Sequence, residues 1–354
     1  MRARSTMVFR RMKKITTAVI IVIILGVVLF INNSRNTTQQ KTSSPTQVSP
    51  TTETFPLQVE QMRKKSYPGS DIQTEEQLGN GTNYKQYVVS YKSDGLKIYA
   101  LLTIPLTEMP KGGYPAIIFN HGYIPPEQYS TTERYVAYVD GFARSGYVVF
   151  KPDYRGHGRS EGKPEGAYYS PAYTTDVLNA VSSVKKLKEV NPQKIGMWGH
   201  SLGGNITMRA MVVSRDIKAG VIWDGVVGTY DDLLNRWVRA VPFRPSTSEA
   251  QAHVTSIRRQ LTEKYGTPKD NPTFWNTIDP HAYLKDISGP VELHHSAQDD
   301  EVPEAFSQSL YDDLKKAGKT VELFTYEGTD HNLSQGFGLA MQRSVDFFDT
   351  YLKK

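Results

Sequence analysis

The chain has 354 residues, of which 38% are hydrophobic and 11% aromatic, which is enough apolar side chain for a sizeable core and excludes a globally disordered protein. Its net charge of +6 is carried by Arg2, Arg4, Arg10, Arg11, Lys13 and Lys14 in an acid-free leader, so the remaining 36 basic and 36 acidic side chains balance. A neutral body gives no electrostatic case for binding nucleic acid, and a chain without cysteine has neither a disulfide framework nor a lipid-modified cysteine.

Residues 1–14 read as a basic cytoplasmic leader, and 15–31, ITTAVIIVIILGVVLFI, as an uncharged transmembrane anchor. At about 1.5 Å per residue the run spans roughly 25 Å, near the short end of what crosses a hydrocarbon core. Basic residues ahead of it hold the N-terminus in the cytoplasm and send the rest across, which predicts a single-pass protein of the cell membrane with its body outside the cytoplasm. A cleaved signal peptide is the rival reading. It fits less well, because the apolar run exceeds the usual length and Asn32-Asn33-Ser34-Arg35 offers no small-x-small cleavage site. Residues 32–56, rich in Thr, Ser, Asn, Gln and Pro, read as a flexible linker, and 57–354 as one globular domain.

Within that domain strand signals alternate with helix signals. Strands at 84–90 and 96–104 flank Lys92-Ser93-Asp94-Gly95, a hairpin turn. A short apolar strand at 115–120 precedes a helix at 131–144, a strand at 147–152 and an amphipathic helix at 174–190. The strand at 195–198 runs into Gly199-His200-Ser201-Leu202-Gly203, with a helix beyond it to 213 and a strand at 219–223. Residues 226–280 break the rhythm and read as an inserted, largely helical lid. A strand at 291–295, a helix at 304–317, a strand at 321–326 and a helix at 339–352 complete the alternation. This order implies an α/β fold with a mostly parallel sheet flanked by helices. Chemistry in such sheets gathers in loops at the carboxyl ends of the strands.

A serine between two glycines, at a junction of strand and helix, has the spelling of a nucleophile on a sharp bend. A serine hydroxyl also needs a base, an orienting acid and oxyanion donors. His331 follows the strand at 321–326, and no histidine comes after it. The acid belongs after the preceding strand, where Asp299 and Asp300 stand, with Asp224 at the end of 219–223 as their rival. The order serine, acid, histidine is that of α/β-hydrolases. Oxyanion donors would be the backbone N–H of Leu202, at the start of the helix, and of Tyr123, after Asn120-His121-Gly122. Other conspicuous residues have plainer readings. His200 should point back into the sheet and His121 should brace the oxyanion loop. His294 and His295, adjacent on a strand, face opposite ways, and no H-x-x-x-H or H-E-x-x-H occurs, so no metal is expected. Gly156-His157-Gly158-Arg159-Ser160-Glu161-Gly162 carries its third glycine one place late for a nucleotide loop, so no cofactor is expected either. Trp237, Phe243, Phe274 and Trp275 either line an acyl pocket or pack the lid.

The chain resembles the α/β-hydrolase catalytic domain of the prolyl oligopeptidase family and its single-domain, dienelactone-hydrolase-like relatives. Matching stretches are Ser93-Asp94-Gly95-Leu96-Lys97-Ile98, Phe119-Asn120-His121-Gly122-Tyr123, Asp153-Tyr154-Arg155-Gly156-His157-Gly158-Arg159-Ser160, the segment around Ser201, Asp299 to Pro303, and Gly328 to His331. The resemblance implies that the acid is Asp299, because the family's aspartate stands three residues ahead of Val-Pro. It departs at His294-His295-Ser296-Ala297-Gln298, where the family shows His-Gly, and this bears on the shape of the acid loop. The propeller domain of the larger oligopeptidases has no counterpart here, so their size selection does not carry over. What the resemblance implies is a serine hydrolase that cleaves peptide or related acyl bonds, with a peptide or small molecule as substrate, and the apolar run 15–31 makes it a membrane-anchored one. A carboxylesterase on small acyl esters is the alternative. A catalytically silent binding module is another, although such a role would not require Ser201, Asp299 and His331 together.

Overall fold

The computed structural model describes residues 54–237 and 249–354. The leader 1–14, the apolar run 15–31, linker residues 32–53 and Phe243 lie outside the described residues. Among the described residues no helix is long and apolar enough to cross a membrane.

Nine strands form a single sheet in the order β1-β2-β3-β5-β4-β6-β7-β8-β9. They are β1 (Gln73–Gln77), β2 (Tyr84–Ser93), β3 (Leu96–Pro105), β4 (Tyr114–Asn120), β5 (Val148–Pro152), β6 (Val190–His200), β7 (Ile217–Trp223), β8 (Val291–Ser296) and β9 (Val321–Tyr326). From β1 to β5 the neighbours are antiparallel, and from β5 onward they are parallel. The β2–β3 hairpin turns on Asp94 and Gly95, both at positive φ (49° and 83°), the conformation a two-residue turn needs to match strand twist. Every residue of β4 and β5 is buried, as expected where helices cover both faces.

Alternation along the strands divides the core in two. Ala116, Ile118 and Met197 face one layer with α3 (Ala172–Val184) and α4 (Leu202–Val213). Ile117, Phe119 and Trp198 face the other, with Phe142 of α2 (Val136–Arg144) and Phe348 of α8 (Phe337–Phe348). Each fully buried Ile or Phe contributes about 1.5–3 kcal/mol of transfer free energy, so this two-sided burial fixes the register.

The observed elements differ from expectation in three places. The amphipathic pattern over 174–190 predicts one helix, but α3 stops at Val184. Residues 185–190 form successive tight turns that deliver Val190 to its pairing with Tyr114. Residues 131–144 yield a helix only from Val136, because Arg134 and Tyr135 sit in the left-handed region (φ 57° and 53°). Strand β1, with its wholly exposed sequence QTEEQ, has no apolar alternation to betray it, and neither does the short helix α1 (Val59–Lys64). The insertion is helical among its described residues, with α5 (Glu249–Tyr265) and α6 (Pro272–Ile278). Helix α7 (Glu304–Lys316) covers β8 and β9.

Candidate active site

Ser201 stands between the end of β6 and the start of α4 at φ 55° and ψ −120°. A non-glycine residue in that region costs on the order of 1–3 kcal/mol and persists only where its surroundings force it. They do so here. The Ser201 N–H donates to the Trp223 carbonyl (3.0 Å), and its own carbonyl accepts from the N–H groups of Gly204 (2.9 Å) and Val226 (3.0 Å). The flanking glycines follow from packing. A Cβ on Gly199 would lie 2.3 Å from the Gly203 carbonyl oxygen, and one on Gly203 would lie 2.0 Å from that of Asn120. The bend thus holds the hydroxyl-bearing residue at the N-terminus of α4, where the Leu202 N–H belongs to a first turn with no carbonyl partner inside the helix.

Asp299 and His331 meet from the loops after β8 and β9. His331 Nδ1–H donates to Asp299 Oδ2 at 2.7 Å, which leaves Nε2 as the basic nitrogen. Ser201 and His331 line one cavity of about 1010 Å³. The other Asp299 oxygen accepts from the N–H groups of Glu301 (2.8 Å) and Val302 (2.9 Å). Burial works to raise the Asp299 pKa, but hydrogen bonds from His295 and His331 outweigh it and hold the carboxyl well below the usual range. Asp300 is exposed. Asp224 is fully buried beside this pair. Its Oδ1 accepts the Ser296 N–H (2.8 Å), its other oxygen has no hydrogen-bond partner, and burial together with the Asp299 charge pushes its pKa well up.

Three residues that the sequence marks for other reasons take supporting roles that it does not foretell. His295 is buried with Nε2 3.0 Å from the Val302 carbonyl and 3.5 Å from Asp299 Oδ2, while Ser307 Oγ lies 2.7 Å from its Nδ1. Both Nε2 neighbours are acceptors, so Nε2 carries a proton towards them. Ser296, at the place of the family's glycine, is buried and has a negative φ, and its Oγ donates to the Thr329 carbonyl (2.6 Å), two residues before His331. Asp224 completes the group. The ligating atoms of Asp224, His295 and Asp299 lie within 4.8 Å of one another, the spacing of a metal site. His331 and the Val302 carbonyl already engage Asp299 Oδ2 and His295 Nε2, so this donor set serves the acid loop.

Three further histidines take supporting places. His200 is buried, and desolvation together with the nearby His331 pushes its pKa down to about 3. His121 stacks between Tyr129 (4.6 Å) and Tyr154 (4.2 Å), with Nδ1 2.7 Å from the Gly122 carbonyl, which braces the loop carrying Tyr123. His294 contacts Tyr326 and Glu292 on the face of β8 opposite to His295. The glycine-rich segment after β5 is a structural turn. Ahead of it, Arg155 forks onto buried Asp176 with Nη2 at 2.7 Å and Nε at 3.0 Å. In the insertion, Trp237 lines the cavity, while Trp275 is buried and Phe274 stacks on Tyr265 at 3.6 Å, so those two pack the domain.

Comparison with known proteins bears on the family and the fold. Residues 133–354 match the family model described as "Peptidase_S9: Prolyl oligopeptidase family". The uncharacterized peptidase YtmA of Bacillus subtilis (strain 168) is 26% identical over 250 residues, 69% of this chain and 85% of its own. Among solved structures, the acylaminoacyl peptidase of Pyrococcus horikoshii superposes with a TM-score of 0.60 at 24% identity, over 77% of this chain and 43% of that one. Est1E of Butyrivibrio proteoclasticus, solved with ferulic acid bound, gives a TM-score of 0.56 at 24% identity, over 75% of this chain and 99% of that one. The chain therefore spans less than half of the acylaminoacyl peptidase, and at these identities the two structures show the α/β-hydrolase fold alone.

Proposed function

The chain belongs to the prolyl oligopeptidase family, and from that membership we propose a serine hydrolase that cleaves peptide or related acyl bonds through an acyl-enzyme. The observation that carries the reading is the 2.7 Å contact between His331 Nδ1 and Asp299, with Ser201 on its strained bend in the same cavity. His331 Nε2 takes the proton from Ser201 Oγ as that oxygen attacks the substrate carbonyl. The tetrahedral oxyanion sits against the backbone N–H groups of Leu202 and Tyr123. As it collapses, His331 returns the proton to the leaving group, and it then activates water to release the acid. Asp299 holds the imidazole tautomer and stabilises its cation. Arg134, Arg258 and Glu301 line the cavity and give it charges that suit a peptide. Esters of small acids are the second reading, favoured by the apolar wall of Ile124, Pro125, Leu233 and Val302.

A fluorophosphonate probe should label the wild type at Ser201 and leave Ser201→Ala untouched, with mass spectrometry naming the modified residue. Asp299→Asn should lower kcat about 10⁴-fold, the loss seen when a triad aspartate is replaced by its amide. An unlabelled wild type would instead favour a silent binding module. Comparing a proline-containing chromogenic peptide with a short-chain nitrophenyl ester separates peptidase from esterase. The charge-free run 15–31 behind a basic leader supports a tethered, extracytoplasmic domain. Membrane fractionation recovering an intact N-terminus tests that part.

A further inference from the structure

We propose that Tyr135 and His200 form a neutral hydrogen-bonded chain that fixes the oxyanion loop against the base loop beside Ser201, making both of them positioning residues. The proposal rests on the serine-hydrolase reading for its purpose but not for its geometry. The His331 carbonyl oxygen can only accept, and His200 Nε2 lies 2.8 Å from it, so Nε2 carries the proton. Being buried, His200 stays neutral, so its Nδ1 offers only a lone pair. Tyr135 Oη, 2.7 Å away, must therefore donate to it. The lone pairs of that same oxygen then accept the Gly122 N–H at 2.9 Å. Every proton in the chain has one possible place.

The location gives the chain its consequence. Its three anchors are Gly122, which precedes the Tyr123 oxyanion donor, His200, which precedes Ser201, and His331 itself. A carbon placed on Gly122 would meet Tyr135 Oη at 2.6 Å, His200 Nδ1 at 3.0 Å and Ser201 Cβ at 3.2 Å, so the chain passes directly beside the nucleophile. Tyr135 is held at φ 53° where α2 begins, a conformation that these bonds help to impose. Engaging the Gly122 N–H with Tyr135 also assigns the oxyanion role to the next amide, that of Tyr123. Loss of the chain should therefore disturb transition-state geometry more than substrate binding.

Two measurements on the full chain test this. In protein labelled with ¹⁵N-histidine, long-range ¹H–¹⁵N correlation should show His200 as the Nε2–H tautomer, uncharged from pH 6 to 8. In Tyr135→Phe the Nδ1 resonance should move towards that of a nitrogen without a hydrogen bond. Kinetically, Tyr135→Phe should lower kcat about 10- to 100-fold while KM stays within about threefold, the pattern of misplaced catalytic groups. His200→Gln, which can donate to the His331 carbonyl and accept from Tyr135, should recover most of the activity that His200→Ala loses. An Nδ1–H or charged His200 overturns the proposal, and so does a folded Tyr135→Phe enzyme with unchanged kcat. The tautomer measurement stands even where Tyr135→Phe does not fold or the wild type shows no hydrolase activity, so failure of the functional reading is seen separately.

Discussion

Replacing Asp224 by Asn tests the electrostatics of the acid loop with a sign that can come out wrong. Asp224 is fully buried, and its carboxyl lies within 4.8 Å of the Asp299 carboxyl, which His331 keeps ionised. Two unit charges at that separation repel by about 3.5 kcal/mol at an effective dielectric constant of ~20. Desolvation adds to this, so Asp224 keeps its proton and its pKa lies well above the ordinary carboxyl value. The folded chain therefore binds a proton that the unfolded chain releases near pH 4. Between there and its raised folded pKa, this group lowers stability as pH rises, by up to about 1.4 kcal/mol per unit. Below about pH 4 it is protonated in both states and contributes no slope. Asp224→Asn removes the titration while keeping an oxygen for the Ser296 N–H. Urea unfolding of both proteins at pH 5, 6, 7 and 8 should show the variant gaining on the wild type as pH rises above 5, up to the raised folded pKa of Asp224, because titrations common to both cancel. Its kcat should stay within a few-fold, since a neutral group replaces a neutral group. A stability difference that is flat or falls with pH would mean that Asp224 is ionised in the fold, and the account of the acid loop would be wrong.

Asp176→Ala should destabilise the chain by about 3–5 kcal/mol in urea unfolding, because it strands Arg155, only 8% exposed, without the carboxylate it grips. A loss under 1 kcal/mol would show that Asp94, 3.1 Å from Arg155 Nη2, is partner enough. Gly203→Ala should cost about 1–3 kcal/mol or more and abolish fluorophosphonate labelling, because the new methyl group would lie 2.0 Å from the Asn120 carbonyl oxygen and must push α4 away from β4. Normal labelling of that variant would show that the bend tolerates a wider strand-to-helix spacing than the structure has.

How far the sequence can be read depends on the range of the interactions. The parallel strands were legible because burial on both faces writes a continuous apolar run, as in Ile195 to Trp198, and turn residues punctuate each run. Ser201 was legible because the residue types its bend requires, Gly199 to Gly203, stand within five residues, although distant groups enforce it. His331 could be placed through topology, as the histidine after the last strand, whereas topology left Asp299 among rivals and the family's spacing ahead of Val-Pro singled it out. The structure brings the two to 2.7 Å. Residues whose role depends on distant partners carried no local mark. His295 looked like half of an adjacent histidine pair, and its contact with Asp299 appears only once the loop after β8 has folded back on the strand. Tyr135 was one aromatic residue in an expected helix until the chain turned left-handed there. Strand β1 was illegible for the opposite reason. An exposed edge strand is held by backbone pairing with β2, which constrains no side chain.

The departure at Ser296 shows how a local misfit can be absorbed by its surroundings. A glycine ahead of the acid would allow a left-handed backbone, but Ser296 takes a negative φ, so the loop turns without that freedom. In exchange the serine has a side chain, and its Oγ reaches the Thr329 carbonyl and ties the acid loop to the loop that carries His331. Its N–H, buried beneath that loop, requires an acceptor, which Asp224 provides. Asp224 can fill that place beside an ionised Asp299 only by remaining protonated. The backbone N–H at position 296 would need that acceptor whatever its side chain, so Asp224 serves the turn of the acid loop itself, and what the serine adds over a glycine is the tie from its Oγ to the loop that carries His331.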